Sequence, residues 1–190
     1  MNKKGLTLAE LLVASILISI VMIGVASFSA SMQQFQNSTN RTTILAMRTM
    51  SVMNQIERDG YLAIGDETNP GVVIGGTANK ESICFRHDAD GDPMTYDNNW
   101  VCYYGRANRE LWLCGDNPTV PVDGWNDCQQ GNGERVLVDL FSKDIVTGPG
   151  PLGVTVTLKT IFDRAQGFHP LKNPRYDLET MIMPPGHSSS

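Results

Sequence analysis

Charge is missing from the start of this chain, where a soluble domain would carry it. Between Leu8 and Phe28 there is one charged residue, Glu10, and no proline occurs before Pro70. A water-facing helix needs a polar face, so a stretch apolar all round belongs in a membrane or a packed interior. Basic clusters are equally scarce. After Lys3-Lys4 the next basic residue is Arg41, the net charge is −5, and no basic run is interleaved with aromatics. A nucleic-acid partner is therefore not expected. No C-x-x-C pair, H-E-x-x-H sequence or Walker-type glycine loop occurs, which removes the usual zinc-cluster, metalloprotease and nucleotide readings. Ser142, Asp144 and His169 have the residue types of a hydrolytic triad, but no nucleophile-elbow motif surrounds the serine. The chain is accordingly read as a non-enzyme. It has no internal repeat, and its low-complexity content is a short serine tail.

What is present is concentrated at the N-terminus: Lys3-Lys4-Gly5-Leu6-Thr7-Leu8-Ala9-Glu10, followed by an apolar run to Phe28. About 20 residues at 1.5 Å per residue give roughly 30 Å, enough to cross a bilayer. The lysines before the run put the N-terminus in the cytoplasm and the remainder outside. A secretory signal would have a shorter apolar core with its small-x-small site after it. Here the glycine precedes the core. A carboxylate in an apolar span costs roughly 2.5–3.5 kcal/mol at mid-membrane and less near the ends, which makes Glu10 a functional residue by default.

This order resembles the N-terminal motif of type IV pilins and pseudopilins. The likeness covers about the first thirty residues. It implies cleavage by a prepilin peptidase between Gly5 and Leu6, N-methylation of Leu6, and an assembly role for Glu10, the fifth mature residue. In the family that glutamate pairs with the terminal amine of a neighbouring subunit and so sets filament register. The family usually has phenylalanine or methionine where this chain has Leu6, a departure seen mainly outside the major subunits. The helix end Gln55-Ile56-Glu57-Arg58-Asp59-Gly60-Tyr61 is similar to that of PilW-type minor pilins and J-type pseudopilins. The implied partners are other pilins or pseudopilins, the peptidase and an inner-membrane assembly platform. The implied location is the inner membrane as a single-pass precursor, and a periplasm-crossing or cell-surface filament once assembled.

Helical character continues past the span. Phe35, Thr39, Thr42, Ala46, Met50 and Met53 recur at steps of three and four, with Leu45, Val52 and Ile56 beside them. The stripe predicts a helix that packs on a sheet, with Met47, Met50 and Met53 as core filler and Gly60 as the stop after the helix C-terminus. Beyond Gly60 the period becomes two. Strands are predicted at Val72–Ile74, Ile83–Phe85, Trp100–Tyr104, Leu111–Cys114, Val136–Phe141 and Val154–Leu158, with a hairpin turn at Gly105–Asn108. The alternation puts Cys84, Cys102 and Cys114 opposite Ile83, Val101 and Leu111. The aromatics Trp100, Tyr103, Tyr104, Trp112 and Trp125 are core or cross-strand pairs first, an adhesive surface second. The fold class is α+β: a long N-terminal helix on an antiparallel headgroup. The expected divisions are a leader at 1–5, a membrane or filament-core helix at 6–29, an amphipathic helix at 30–60 and the headgroup at 61–190.

All four cysteines (Cys84, Cys102, Cys114, Cys128) lie in the exported part, where an even number reads as two disulfides. Three connectivities are open; Cys84–Cys102 with Cys114–Cys128 is favoured because each bridge then closes a polar loop. Asp88-Ala89-Asp90-Gly91-Asp92 reads first as an exposed turn. As a second reading Asp88, Asp90 and Asp92, with Asp97 across the loop, offer carboxylate oxygens to calcium, although the spacing is not that of an EF-hand. No other cofactor is expected. The function expected is that of a minor pilin or pseudopilin that helps initiate or cap a type IV pilus or a type II secretion pseudopilus. The alternative is a surface binding module, for adhesion or DNA uptake, on the same anchor.

Overall fold

The structure, a computed structural model, describes residues 7–65, 70–75, 81–88, 90–91, 97, 99–106, 108–117, 133–137, 139–140, 142, 144–150 and 153–183. One helix, α1 (Leu8–Tyr61), runs unbroken. It starts at Thr7, whose hydroxyl accepts from the Glu10 N–H in a capping box, and no proline interrupts it. Every residue from Thr7 to Asn37 is exposed, and burial begins at Leu45. The buried line is Leu45, Thr49, Val52, Met53, Ile56, Asp59 and Gly60.

That line corrects two expectations. Of the three methionines proposed as core filler only Met53 is buried; Met47 and Met50 lie on the outer side of the helix, as does Phe35. The core stripe is thus rotated toward Leu45 and Thr49. A threonine serves there because its hydroxyl donates to the Leu45 carbonyl at 2.8 Å and meets the Thr160 hydroxyl at 3.0 Å. Gly60 is not the residue that stops the helix. The helix continues to Tyr61, and its cap, Leu62, is in the right-handed region. Gly60 instead allows close approach: a Cβ there would lie 2.4 Å from Ile182 Cγ2 and 3.2 Å from Phe85 Cε1. Gly60→Ala is therefore expected to lower stability by about 1–3 kcal/mol through overpacking, despite alanine's better helix propensity. The urea midpoint of the detergent-solubilised protein measures it; an unchanged or higher midpoint would contradict it.

Two antiparallel meanders follow the helix. The first orders β1 (Val72–Gly75), β2 (Ser82–His87), β3 (Asn99–Gly105), β4 (Leu111–Asn117) and β5 (Gly133–Leu137); the second orders β6 (Val146–Gly150), β7 (Gly153–Ile161) and β8 (Arg175–Ile182). The fold is α+β, with one long N-terminal apolar helix packed on antiparallel sheet. Ile83, Phe85, Tyr103, Leu111 and Leu137 of the first sheet join Val156, Leu158 and Ile182 of the second and Val52, Met53 and Ile56 of the helix in one core. Fully burying a side chain of this size contributes about 1.5–3 kcal/mol.

The predicted strand Val136–Phe141 is shifted. β5 ends at Leu137, which pairs with Leu111 across an irregularity between Leu111 and Trp112. That slip buries Leu137 and leaves Val136 half-buried, the reverse of the expected alternation. Leu140 is buried through an isolated bridge to Thr160; Val138 and Phe141 lie outside the described residues. β6 and β8 were not predicted. The turn expected at Gly105–Asn108 falls slightly later, where Arg106 N–H donates to the Glu110 carbonyl and Arg109 takes φ 64°.

The opposite face of the first sheet is not solvated. Cys84, Trp100, Cys102 and Cys114 form a second buried cluster against Val73, and the Arg86 guanidinium lies 4.7 Å from the Trp100 ring centroid. Cys84 and Cys102 are direct cross-strand partners, disulfide-bonded with Cα atoms 4.0 Å apart. Cys114 is also disulfide-bonded, and Cys128 lies outside the described residues. Replacing Cys84 and Cys102 together by alanine is expected to cost about 2–4 kcal/mol, read as a lower urea midpoint. An equal midpoint under oxidising conditions would show that the bridge adds nothing.

Candidate assembly site

At the N-terminus the helix geometry fixes what Glu10 does in a single chain. Its Oε2 accepts from the Thr7 backbone N–H at 2.8 Å and from the Thr7 hydroxyl at 2.9 Å, while its own N–H donates to Thr7 Oγ1 at 3.3 Å. Glu10 is the N3 residue of a reciprocal capping box, which satisfies helix N–H groups that otherwise have no partner. The sequence reading did not include this role, although Thr-x-x-Glu is its recognisable pattern. Thr7 and Glu10 both lie after the cleavage point expected at Gly5, on the same side of it. Gly5 and Leu6 lie outside the described residues.

Beyond this cap, Leu11, Leu12, Val13, Ile16, Leu17, Ile20 and their neighbours are all exposed. A helix exposing such side chains on every side needs lipid or other helices around it. Leu8–Tyr61 is long and apolar enough to cross a membrane, by length and composition.

The remaining candidate residues separate into distinct places. Asp88, Asp90 and Asp97 bring carboxylate oxygens within 4.8 Å of one another; Asp92 lies outside the described residues. Asp88 Oδ1 already accepts from the N–H groups of Asp90 and Gly91, at 3.1 and 2.7 Å, and Gly91 supplies the positive φ of 81°. The loop is therefore built as a turn on its own hydrogen bonds. Ser142 Oγ accepts from Asp144 N–H at 3.3 Å. His169 Nδ1 accepts from Leu171 and Lys172 N–H. None of the hydrogen bonds among the described residues links His169 to Ser142 or Asp144. Trp100, Tyr103 and Tyr104 are buried, which takes them out of any adhesive surface; Trp125 lies outside the described residues.

Two buried polar centres emerge that the sequence did not reveal. Tyr103 donates to Asp59 Oδ2 at 2.6 Å inside the core, while Arg58 Nε and NH2 reach Asp59 Oδ1 at 3.2 Å. Burial, with the Asp59 carboxylate beside it, pushes the Tyr103 hydroxyl up from its ordinary range, so it stays a donor and pins β3 to the helix end. Glu110, also buried, accepts from Trp112 Nε1, Asn108 Nδ2, Arg135 and Arg164. Burial alone would raise its pKa; those hydrogen bonds outweigh it and hold the carboxyl at about 2.

Residues 1–26 match the family described as the prokaryotic N-terminal methylation motif. No curated protein and no solved structure matches the chain. The matched stretch contains Gly5, Leu6 and Glu10. It supports a type IV pilin-like protein anchored by its N-terminal helix, and it implies processing by a prepilin peptidase and assembly with other pilins.

Proposed function

We propose that this chain is a minor pilin or pseudopilin, a structural subunit without catalytic activity. It would insert in the inner membrane as a single-pass precursor, lose Met1–Gly5, and pack by its helix into a type IV pilus or a type II secretion pseudopilus, at initiation or at the tip. The observation that carries this reading is the cap at Thr7 and Glu10 placed at the head of a helix whose first thirty residues are all exposed. A glutamate satisfied within its own turn can insert without an unmatched carboxylate, and it can exchange that partner for a neighbour's amine when subunits pack. The likeness of Gln55–Tyr61 to minor-subunit helix ends supports the finer assignment. The adhesion alternative loses support because the aromatics that suggested it are mostly core.

Intact-mass analysis of membrane-extracted protein tests the proposal. The expected mature form lacks Met1–Gly5 and carries one added methyl group on Leu6. A stable form retaining Lys3 and Lys4 would overturn it.

A further inference from the structure

Among the described residues, the headgroup segment that bonds to the helix closest to the apolar span is the loop between β7 and β8, and its composition departs from that of the chain. Ser38 is the first half-buried residue of the helix. Its hydroxyl donates to the Pro170 carbonyl at 3.4 Å. One turn later Arg41 donates to the Lys172 carbonyl and lies 5.1 Å from the Phe162 ring centroid. These bonds fix residues 162–172 on the helix at the headgroup edge closest to the span. The loop is ordered from within: the Asn173 side-chain amide donates to the carbonyls of Asp163, Gln166 and Gly167. Phe168 and Leu171 nevertheless stay 59% and 51% exposed, and Phe35, three residues before Ser38, is 64% exposed.

Charge is distributed to match. The protein carries a net −5, yet residues 11–56 contain no carboxylate and just two basic residues, Arg41 and Arg48. Residues 164–175 also contain no carboxylate, and they hold Arg164, Lys172 and Arg175. Arg164 is bound to Glu110 and Arg175 to Asp177. Lys172 is exposed beside the two apolar side chains.

We infer that this loop is a membrane-interface contact, with Phe168 and Leu171 entering the headgroup layer of the bilayer and Lys172 meeting anionic lipid phosphates. The inference rests on the reading of the N-terminal helix as a membrane span. Ser38 lies ten residues past Phe28, about 15 Å along the helix. The polar layer outside the hydrocarbon is roughly 5–8 Å deep on each side. A helix tilt of about 20° on the headgroup side and the length of the side chains close most of the difference. Aromatic and aliphatic groups at this depth enter the boundary between headgroups and acyl chains, and a lysine near an anionic surface adds electrostatic attraction. The contact holds the unassembled subunit upright beside its span and has to be released on entry into a filament.

The test uses the full mature chain reconstituted at low protein density in vesicles of phosphatidylethanolamine and phosphatidylglycerol that contain brominated acyl chains. Tryptophan is introduced one site at a time: Phe168→Trp, Leu171→Trp, Val21→Trp within the span and Tyr61→Trp at the far end of the helix. The fluorescence of the native tryptophans is subtracted. Phe168→Trp and Leu171→Trp are expected to lose more fluorescence than Tyr61→Trp and less than Val21→Trp. Adding Lys172→Glu to Phe168→Trp should reduce that loss in these vesicles and leave it unchanged in phosphatidylcholine. Quenching of Phe168→Trp no greater than of Tyr61→Trp, with Val21→Trp fully quenched, overturns the contact and leaves the span intact. An unquenched Val21→Trp removes the span and the contact together. A signal that emerges at high protein density alone assigns the loop to a second copy and also overturns the proposal.

Discussion

Replacing Arg135 and Arg164 together by alanine is expected to cost about 1.5–3 kcal/mol of stability, because the buried Glu110 carboxylate loses both of its charged hydrogen-bond donors and keeps Trp112, Asn108 and the field of Arg106. Arg135 NH1 lies 3.3 Å and Arg164 NH1 3.1 Å from the same oxygen, Oε1. Either arginine alone can compensate for loss of the other, so each single variant should cost less than half of the double, and the coupling should be non-additive. The pH dependence gives a second readout. In the native protein the carboxyl is held at about 2, below its unfolded value. Its contribution is complete above the unfolded value and is lost as pH falls from there toward 2. In the double variant two of the four hydrogen bonds that lower the carboxyl are gone, so its folded value moves up from about 2 toward the unfolded one. The gap between variant and native protein should therefore hold from neutral pH to about pH 5 and narrow as pH falls further toward 2. Urea midpoints of the detergent-solubilised proteins at neutral pH and at about pH 3 measure both effects. Additive costs with a gap independent of pH would mean that Glu110 is held by Trp112 and Asn108 alone.

That centre shows why part of the fold could not be read from sequence. Glu110 looks like a turn carboxylate, and its arginines stand 25 and 54 residues away, separations that only the closed fold makes meaningful. The helix was legible because its information is local: an apolar run, no proline and an apolar stripe at steps of three and four. β2, β3, β4 and β7 were legible by alternation. β8 carried the same signal, with Tyr176, Leu178, Thr180 and Ile182 alternating with charged residues and Met181, and it went unread beside a Pro- and Gly-rich stretch. β6 carried none, since Thr147-Gly148-Pro149-Gly150 has low strand propensity. The phase of β5 was beyond reach, because it is set by a register shift against β4. Gly60 illustrates the remaining ambiguity. A glycine near a helix end signals either a cap or a close approach, and only the position of Ile182 decides between them. At the candidate assembly site the spacing of Glu10 from Gly5 is legible in the sequence, and the Thr-x-x-Glu pattern that binds Glu10 to Thr7 lies within the same four residues.

Those hydrogen bonds sharpen the test of Glu10. Glu10→Leu removes two things at once: the half of the capping box in which its carboxylate accepts from the Thr7 N–H and hydroxyl, and a carboxylate able to meet a neighbour's terminal amine. Glu10→Gln separates them, since glutamine also serves as the third residue of a capping box but carries no charge. Thr7→Ala is the converse, losing the cap hydroxyl and keeping the carboxylate. In a simple membrane anchor the carboxylate is a cost, so both Glu10 variants should be retained in membranes at least as well as the native chain. In a filament the neighbour's amine would be left as an uncompensated charge within apolar packing, a loss of about 3–5 kcal/mol when buried. Glu10→Leu and Glu10→Gln should therefore insert and be cleaved normally yet enter sheared filaments poorly and to a similar extent. Thr7→Ala should assemble close to normally, because within the bilayer the helix backbone has no competing partner in water. The measurement is the ratio of each variant in sheared filaments to that in membranes, or the efficiency of filament initiation where the subunit is scarce. Normal entry by Glu10→Gln would assign Glu10 to capping alone, and poor entry by Thr7→Ala would show that the cap itself, rather than the charge, is what assembly needs.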